Sequence, residues 1–182
     1  MLFMYNRILN FCFKEVGSQK FFEKDLGLDQ VLREHFIDIL TQAAAAEFYA
    51  WRSSVQGRLA EIIILDQFSR NIYRNTPNAF SQDPMALALA QEAVAAGILQ
   101  ELKSVDERKF ILMPYMHSES KLIHQQAELL FKKFTNEEIY ESEIKHKVIV
   151  DRFGRYPHRN EILGRTSTVE EVEFLKQPNS SF

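Results

Sequence analysis

Helix start signals stand in front of most long apolar stretches of this chain, and they constrain its fold more than any other feature. Ser104 with Glu107, and Thr168 with Glu171, have the spacing of a capping box, in which each side chain hydrogen-bonds to the other residue's backbone N–H. Asp83-Pro84 has the form of an N-cap followed by proline at the first helical position. Only 6 glycines and 5 prolines interrupt the 182 residues, which favours long helices over a turn-rich β fold.

Apolar residues that recur every three or four positions after these signals predict about eight helices and no strand. The longest, from Asp29 to Ala46, has His35 on its apolar face, and we expect this histidine to be buried. Pro114 is expected to limit the helix that starts at Ser104. The other predicted helices span residues 53–72, 83–97, 118 or 120 to 134, 135–153 and 168–175.

This pattern predicts an all-α fold with one compact helical domain over residues 1–175 and a C-terminal tail over residues 176–182. A chain of 182 residues is long enough for one hydrophobic core and short for two. The helix spacing is compatible with stacked antiparallel hairpins, as in tetratricopeptide-like proteins, although no clear 34-residue repeat is found.

Composition narrows the class of protein and partner. A net charge of −3 and 46% apolar residues are typical of a soluble domain and disfavour a dedicated nucleic-acid binder. The single cysteine, Cys12, excludes an intramolecular disulfide and a cysteine-cluster metal site. No apolar run reaches membrane-spanning length and no secretory signal is visible, so we expect a cytoplasmic protein that binds neither membrane nor nucleic acid. No cofactor is predicted, and the oligomeric state stays open.

The first of two arginine-rich segments, residues 65–74, follows an apolar run directly and mixes aromatic with polar side chains. On a helix, Asp66 and Arg70 are four residues apart and can pair, and Arg74 continues the same face. Two interpretations have equal weight. The segment is either a solvated helix edge with a weak ion pair, or a polar ligand-binding site at the border of the core.

The second arginine-rich segment, residues 152–165, contains three donors that could bind an anion, Arg155, His158 and Arg159. Gly154 is expected to end the preceding helix, and Pro157 restricts the turn that follows. Arginine is well suited to bidentate binding of carboxylate or phosphate. The segment therefore predicts an anion-binding block. The alternative is that these arginines bond helix-end carbonyls and tie the last helix to the body.

A third group of polar side chains lies in residues 113–119. His117 and Glu119, together with His158, are candidates for acid–base catalysis. With His146 or Asp66 they could also bind Zn, Mn or Fe, but no HExxH pair is present and no metal is predicted. A histidine hydrogen-bonded to a carboxylate is the commoner explanation of such a pattern.

These segments resemble a largely bacterial family called domain of unknown function 924. The resemblance is carried by residues 65–80, by His117-Ser118-Glu119 and by residues 152–165, and it extends from Ile8 to Leu175. It implies an all-helical fold similar to the tetratricopeptide-like superhelices. It implies no reaction, and therefore no catalytic residues.

The chain departs from the family pattern beside these motifs. Ser69 stands where the family has proline. Met116 and Ser120 stand where the family has acidic residues, which weakens any metal site beside His117 in this chain. The second arginine-rich segment is intact.

Three functions agree with the sequence. The first is the binding of an anionic small molecule or an acidic peptide end in a polar cleft lined by arginine and histidine. The second is a tetratricopeptide-like scaffold that holds a protein partner and needs no chemistry. The third is a hydrolase or lyase in which a histidine and a carboxylate exchange protons while arginines stabilise negative charge. The ligand-binding residues of the first are Asp66, Arg70, Arg74, Arg155, His158 and Arg159.

Overall fold

The structure is a computed structural model that describes residues 2–178, 180 and 181. The all-α prediction is confirmed, because these residues form helices and turns and no strand. The α-helices are α1 (Leu2–Asn10), α2 (Leu26–Ala44), α3 (Val55–Ile63), α4 (Ser69–Ile72), α5 (Asp83–Ala95), α6 (Ile98–Glu101), α7 (Val105–Met116), α8 (Lys121–Phe134), α9 (Glu137–Phe153) and α10 (Val169–Leu175). The described residues also form two π-helical turns, Phe11–Val16 and Ile64–Phe68, and four 3₁₀ turns, Ser18–Phe22, Tyr49–Ser53, Pro77–Phe80 and Pro157–Arg159.

Most helix ends lie close to the predicted positions because local side chains cap them. Two capping boxes are present, one at the start of α7 and one at the start of α10. The spacings Ser53–Gln56 and Thr135–Glu138 predict capping boxes as well, but these two predictions are wrong by one residue. Ser54 caps α3 through the backbone N–H of Gly57, and Asn136 caps α9 through that of Ile139. Gly97 and Gly154 follow α5 and α9 with positive φ angles of 78° and 70°, a backbone conformation that glycine adopts without strain.

Three local predictions are wrong because tertiary contacts decide them. Pro114 lies inside α7, where its neighbours 110–116 are all buried and packing compensates for the missing hydrogen bond. His35 is exposed, since the buried stripe of α2 is narrower than the sequence suggests. Asp83 is the first residue of α5 and does not cap it, because arginine side chains engage its carboxylate.

Helix α3 and the π turn after it form the centre of the fold. Every residue from Leu59 to Ser69 is buried, since α1, α5 and α7 pack around α3 while α2 and α5 pack on the π turn. Aromatic rings fill the core on one side, where Phe68 contacts Phe21 and Phe36. The chain therefore carries the polar residues of its first arginine-rich segment into the core.

The second half of the chain is a set of consecutive helices joined by short connections. Helix α8 packs on α7, and α9 packs on α8, with residues 117–120 and 135–136 as the links. Links of this length reverse the chain direction, which agrees with the predicted hairpins. After Gly154 the chain folds back, so that the buried Tyr156 hydroxyl donates to the carbonyl of Met116 at the end of α7.

The tail follows α10, where the Ser180 hydroxyl donates to the Leu175 carbonyl. Residues 1, 179 and 182, which the predicted domain and tail include, lie outside the described residues. No helix in the described part of the chain is long and apolar enough to cross a membrane.

Candidate functional site

A buried carboxylate on the π turn, that of Asp66, is the centre of the candidate site. Asp66 is 1% exposed and accepts hydrogen bonds from the side chains of Gln67 and Arg70, the latter at 3.0 Å. Burial opposes its ionisation, but the charge of Arg70 and the hydrogen bonds from His117 and Gln67 outweigh that effect and lower the pKa of Asp66 to about 2. π turns inside helices often occur at functional sites.

His117 is the partner that Asp66 receives from another element. It follows α7 directly, and its Nδ1 lies 2.7 Å from Oδ1 of Asp66. Burial and the nearby Arg70 charge lower the pKa of His117, so the ring is neutral at pH 7. Because an ionised carboxylate only accepts, Nδ1 carries the ring proton and Nε2 keeps its lone pair.

The two arginine-rich segments meet at the carboxylate of Asp83. Both Nη atoms of Arg70 lie 3.0 Å from its oxygens, and Nη1 of Arg159 lies 3.5 Å from Oδ2. The ring of Phe80 lies beside both guanidinium groups, with its centroid 5.8 Å from Arg70 Cζ and 4.6 Å from Arg159 Cζ. We call Asp66, Arg70, Asp83, His117 and Arg159 the central cluster.

Arg159 differs from three other partly buried arginines of the chain in what its side chain contacts. Arg52, Arg74 and Arg155 each direct Nε and Nη2 at one carboxylate, at distances of 2.5–2.8 Å. Nε of Arg159 is buried and has no hydrogen-bond acceptor among the described residues. The long contact to Asp83 engages only Nη1.

Two aromatic rings lie against the guanidinium of Arg159. Its Cζ is 4.6 Å from the centroid of Phe80 and 4.6 Å from that of Tyr156. The residue is 6% exposed, and burial together with the Arg70 charge lowers its pKa. A guanidinium donates hydrogen bonds from its edge, so the edge is the part of Arg159 that would bind an anion.

Two further histidines surround the ring of Tyr156. The rings of His146 and His158 lie 5.8 Å and 5.5 Å from it, between centroids. Burial, with the Arg159 charge as a smaller cause, lowers the pKa of His158 to about 4. Burial likewise lowers the pKa of His146 to about 3. Both rings are therefore neutral at pH 7.

A second carboxylate–histidine pair lies behind Tyr156. Nδ1 of His124 is 2.7 Å from Glu143, and its Nε2 is 2.8 Å from the carbonyl oxygen of Ser118 and 3.1 Å from the Tyr156 hydroxyl. Since a carbonyl only accepts, Nε2 of His124 carries a proton. This network is completely buried and fixes the backbone next to His117.

The structure brings some of the predicted site residues together and separates others. Asp66, Arg70, His117 and Arg159 are members of the central cluster, and His158 adjoins it through Tyr156. Arg74 and Arg155 lie elsewhere, each bound bidentately by a carboxylate: that of Asp29 for Arg74 and that of Glu171 for Arg155.

Glu119 holds the second arginine-rich segment in place. Its carboxylate pairs with Arg165 at 2.6 and 2.9 Å and accepts the backbone N–H of Tyr156 at 2.7 Å. These three bonds account for both carboxylate oxygens. Glu119 is therefore positioned to support the site rather than to exchange protons in it.

Sequence reasoning missed Asp83, Phe80 and the role of Tyr156. Asp83 precedes a proline and has the pattern of a helix cap, which hides its use as an arginine partner. Phe80 is the last residue of the stretch 65–80 that resembles the family, and it has no polar group that would indicate a role in a site. The only signal in the sequence was closeness along the chain. Tyr156 lies within the second arginine-rich segment, and Phe80 and Asp83 lie fewer than ten residues after the first.

The central cluster is only partly accessible to solvent. The side chains of Arg70 and Asp83 are each 18% exposed and that of His117 is 11% exposed. Two depressions lie elsewhere, one of about 280 Å³ beside Phe11 and Phe36 and one of about 440 Å³ beside Leu26 and Arg74. In the described part of the chain, no three His, Cys, Asp or Glu side chains are arranged to hold a metal ion.

Comparison with known proteins places the chain in a family. A family model described as bacterial protein of unknown function (DUF924) matches residues 8–179. The chain belongs to this family. A solved structure of another protein of unknown function, from Agrobacterium tumefaciens, is similar to it with a TM-score of 0.89 and 35% identity. The similarity covers 95% of this chain and 97% of that one.

Membership of DUF924 confirms the resemblance carried by the two arginine-rich segments and by His117-Ser118-Glu119. The DUF924 match and the solved relative agree in fold, and neither names a ligand or a reaction. No curated protein matches the chain. The geometry of the central cluster is therefore the basis for a functional proposal.

Proposed function

We propose that this protein binds the anionic group of a small molecule, or the carboxylate of an acidic peptide end, at the edge of Arg159. One observation supports this proposal above all others. Arg159 is nearly completely buried, and its Nε has no acceptor among the described residues. A planar carboxylate or phosphate supplies the two oxygens that such an edge binds.

The energetics of burial favour the same proposal. A buried donor without an acceptor lowers stability by about 1–3 kcal/mol, and more when the group is charged. The chain satisfies the corresponding edge of Arg52, Arg74 and Arg155 with its own carboxylates. At Arg159 no carboxylate of the described residues takes this place, and we propose that a ligand supplies the missing acceptor.

The surroundings suit a small anionic group. Arg70 adds a second positive charge, which faces the same carboxylate of Asp83. The rings of Phe80 and Tyr156 lie against the guanidinium of Arg159 and restrict its orientation. Because little of the central cluster is exposed, we expect a single carboxylate or phosphate group to enter, and the rest of the ligand to remain outside.

The test is calorimetry and thermal shift with inorganic phosphate, succinate and a short peptide that ends in glutamate. Sodium chloride at matched ionic strength controls for screening. Phosphate or one of the carboxylates should raise the melting temperature of the wild type in a concentration-dependent way. Arg159→Gln should lose this response. Arg155→Gln, which breaks a bidentate pair with Glu171 outside the central cluster, should keep it.

Two results would contradict the proposal. One is a folded wild type that none of the three probes stabilises beyond sodium chloride. The other is an equal response in the wild type and Arg159→Gln. Either result would leave the tetratricopeptide-like scaffold as the better explanation, and a search for protein partners would follow.

A further inference from the structure

Resting on the proposed anion site, we infer that His117 is a general base that activates water against an acyl or phosphoryl group held at Arg159. This assigns the protein a hydrolytic activity on small anionic esters. No single motif of the sequence contains this geometry, because the central cluster is assembled from five parts of the fold. These are the π turn, α4, the start of α5, the residue after α7 and the turn 157–159.

A continuous path of polar contacts joins His117 to the anion site. His117 Nδ1 lies 2.7 Å from Asp66, and Asp66 lies 3.0 Å from Arg70. Arg70 in turn lies 3.0 Å from Asp83, which is 3.5 Å from Arg159. Two cations and a carboxylate-bound histidine thus share one small region of the structure.

The pairing of His117 with Asp66 prepares the ring for proton transfer. The carboxylate holds the proton on Nδ1, so that the lone pair is on Nε2, the atom directed away from Asp66. It also stabilises the imidazolium that forms when Nε2 takes a proton. His117 retains some exposure, which gives water a route to the ring.

The backbone carbonyls of the residues before and after His117, Met116 and Ser118, are held by the buried side chains of Tyr156 and His124. The Tyr156 hydroxyl donates to the carbonyl of Met116, and Nε2 of His124 donates to that of Ser118. Glu143 orients His124. These three side chains are positioning residues, since they hold the histidine in one place without reaching the anion site.

The reaction is a simple hydrolysis. Nε2 of His117 takes a proton from water while the water oxygen bonds to the carbonyl carbon or the phosphorus. The bond to the leaving oxygen then breaks, and that oxygen takes the proton back from the imidazolium. Arg159, with the charge of Arg70 beside it, stabilises the negative charge that develops on the remaining oxygens.

A purely structural Asp66–His117 pair would show the same contacts, so the test uses kinetic readouts. The substrates are 4-nitrophenyl phosphate and mono-4-nitrophenyl succinate, which separate phosphoryl from acyl transfer. His117→Gln keeps a donor towards Asp66 and should lower kcat/KM by about 10²–10⁴-fold on the preferred substrate. His35→Gln, at an exposed histidine of α2, is the matched control and should match the wild type.

Two further readouts would not respond to a structural role. His117→Ala should regain activity when imidazole is added, because free imidazole replaces the missing base. For the wild type, kcat/KM should stay level through pH 6.5 and fall only at lower pH, since His117 must be neutral to act and its pKa lies below that of a free histidine. The wild-type pH profile is informative even if neither variant folds.

The outcomes separate this inference from the proposed function. If phosphate binds in an Arg159-dependent way but neither ester is hydrolysed faster than by Arg159→Gln, the anion site stands and the hydrolytic inference is overturned. Unchanged activity in His117→Gln would overturn it as well. If no anion binds at all, both the proposed function and this inference fail.

Discussion

Replacing Arg159 with methionine should leave the protein about as stable as the wild type while removing anion binding. Most substitutions of a residue that is 6% exposed destabilise a protein. Arg159 should be an exception, because among the described residues its buried charge has one carboxylate contact, of 3.5 Å, and its Nε has no acceptor. Methionine keeps the apolar stem of arginine and adapts to irregular space.

The magnitude follows from the contacts that change. The substitution removes two cation–π contacts of about 0.5–2 kcal/mol each, to Phe80 and Tyr156, and a weak ion pair. It also relieves an unsatisfied buried donor, worth about 1–3 kcal/mol, and the desolvation of a charge. Asp83 keeps its two contacts to Arg70. The terms nearly cancel, and we expect a change within about 1 kcal/mol.

Urea unfolding followed by circular dichroism measures this difference directly. Arg74→Met is the comparison, since it removes a bidentate partner from the buried carboxylate of Asp29 and should lower the free energy of unfolding by about 1–3 kcal/mol. If Arg159→Met lost more than about 3 kcal/mol and Arg74→Met lost less, Arg159 would be a structural residue. The premise of the anion site would then be wrong.

Three further predictions concern stability and reactivity. Ser69→Ala should leave the free energy of unfolding unchanged or raise it by up to about 1 kcal/mol in urea titrations, because the Ser69 hydroxyl is buried without a partner among the described residues. His158 and His146, with pKa values of about 4 and about 3 in the fold, bind protons only in the unfolded chain between pH 6.5 and 4. Stability should therefore fall as pH falls through that window, by up to about 1.4 kcal/mol per pH unit for each histidine, and a level profile in urea titrations would contradict it. Cys12 is completely buried and burial raises its pKa, so Ellman's reagent should react with it only after denaturant is added; fast labelling of the native protein would contradict this.

Helix positions could be predicted from the sequence because local chemistry decides them. The capping box of Ser104 with Glu107, and the glycines at 97 and 154, act within a few residues of the chain. Pro114 and His35 were predicted wrongly for the opposite reason. Whether a proline is tolerated or a histidine is buried depends on neighbours from distant helices, which the sequence pattern does not contain.

The site could be predicted only in part, for a related reason. The sequence identified Asp66, Arg70 and Arg159 as residues of interest but gave the same weight to Arg74 and Arg155. What separates them is the presence or absence of a carboxylate at one edge of each guanidinium. The carboxylate that binds Arg74 is 45 residues away along the chain, and the one that binds Arg155 is 16 away. Only the fold reveals which arginine lacks such a partner.

The π turn at Ile64–Phe68 makes the site depend on the number of residues in one helix. An α-helix turns by about 100° per residue, and a π turn accommodates one residue more than an α turn does. Deleting one residue within this turn would restore a regular α-helix and leave α4 in about its present orientation, because the turn absorbs one extra residue. Deleting one residue from the regular part of α3 would instead rotate α4 by about 100° relative to the part of α3 before the deletion, and Arg70 would move away from the carboxylate of Asp83. The π turn can thus lose a residue more safely than the α-helical residues that lead into it, and related chains that keep the site should show length changes in the turn before they show them in α3.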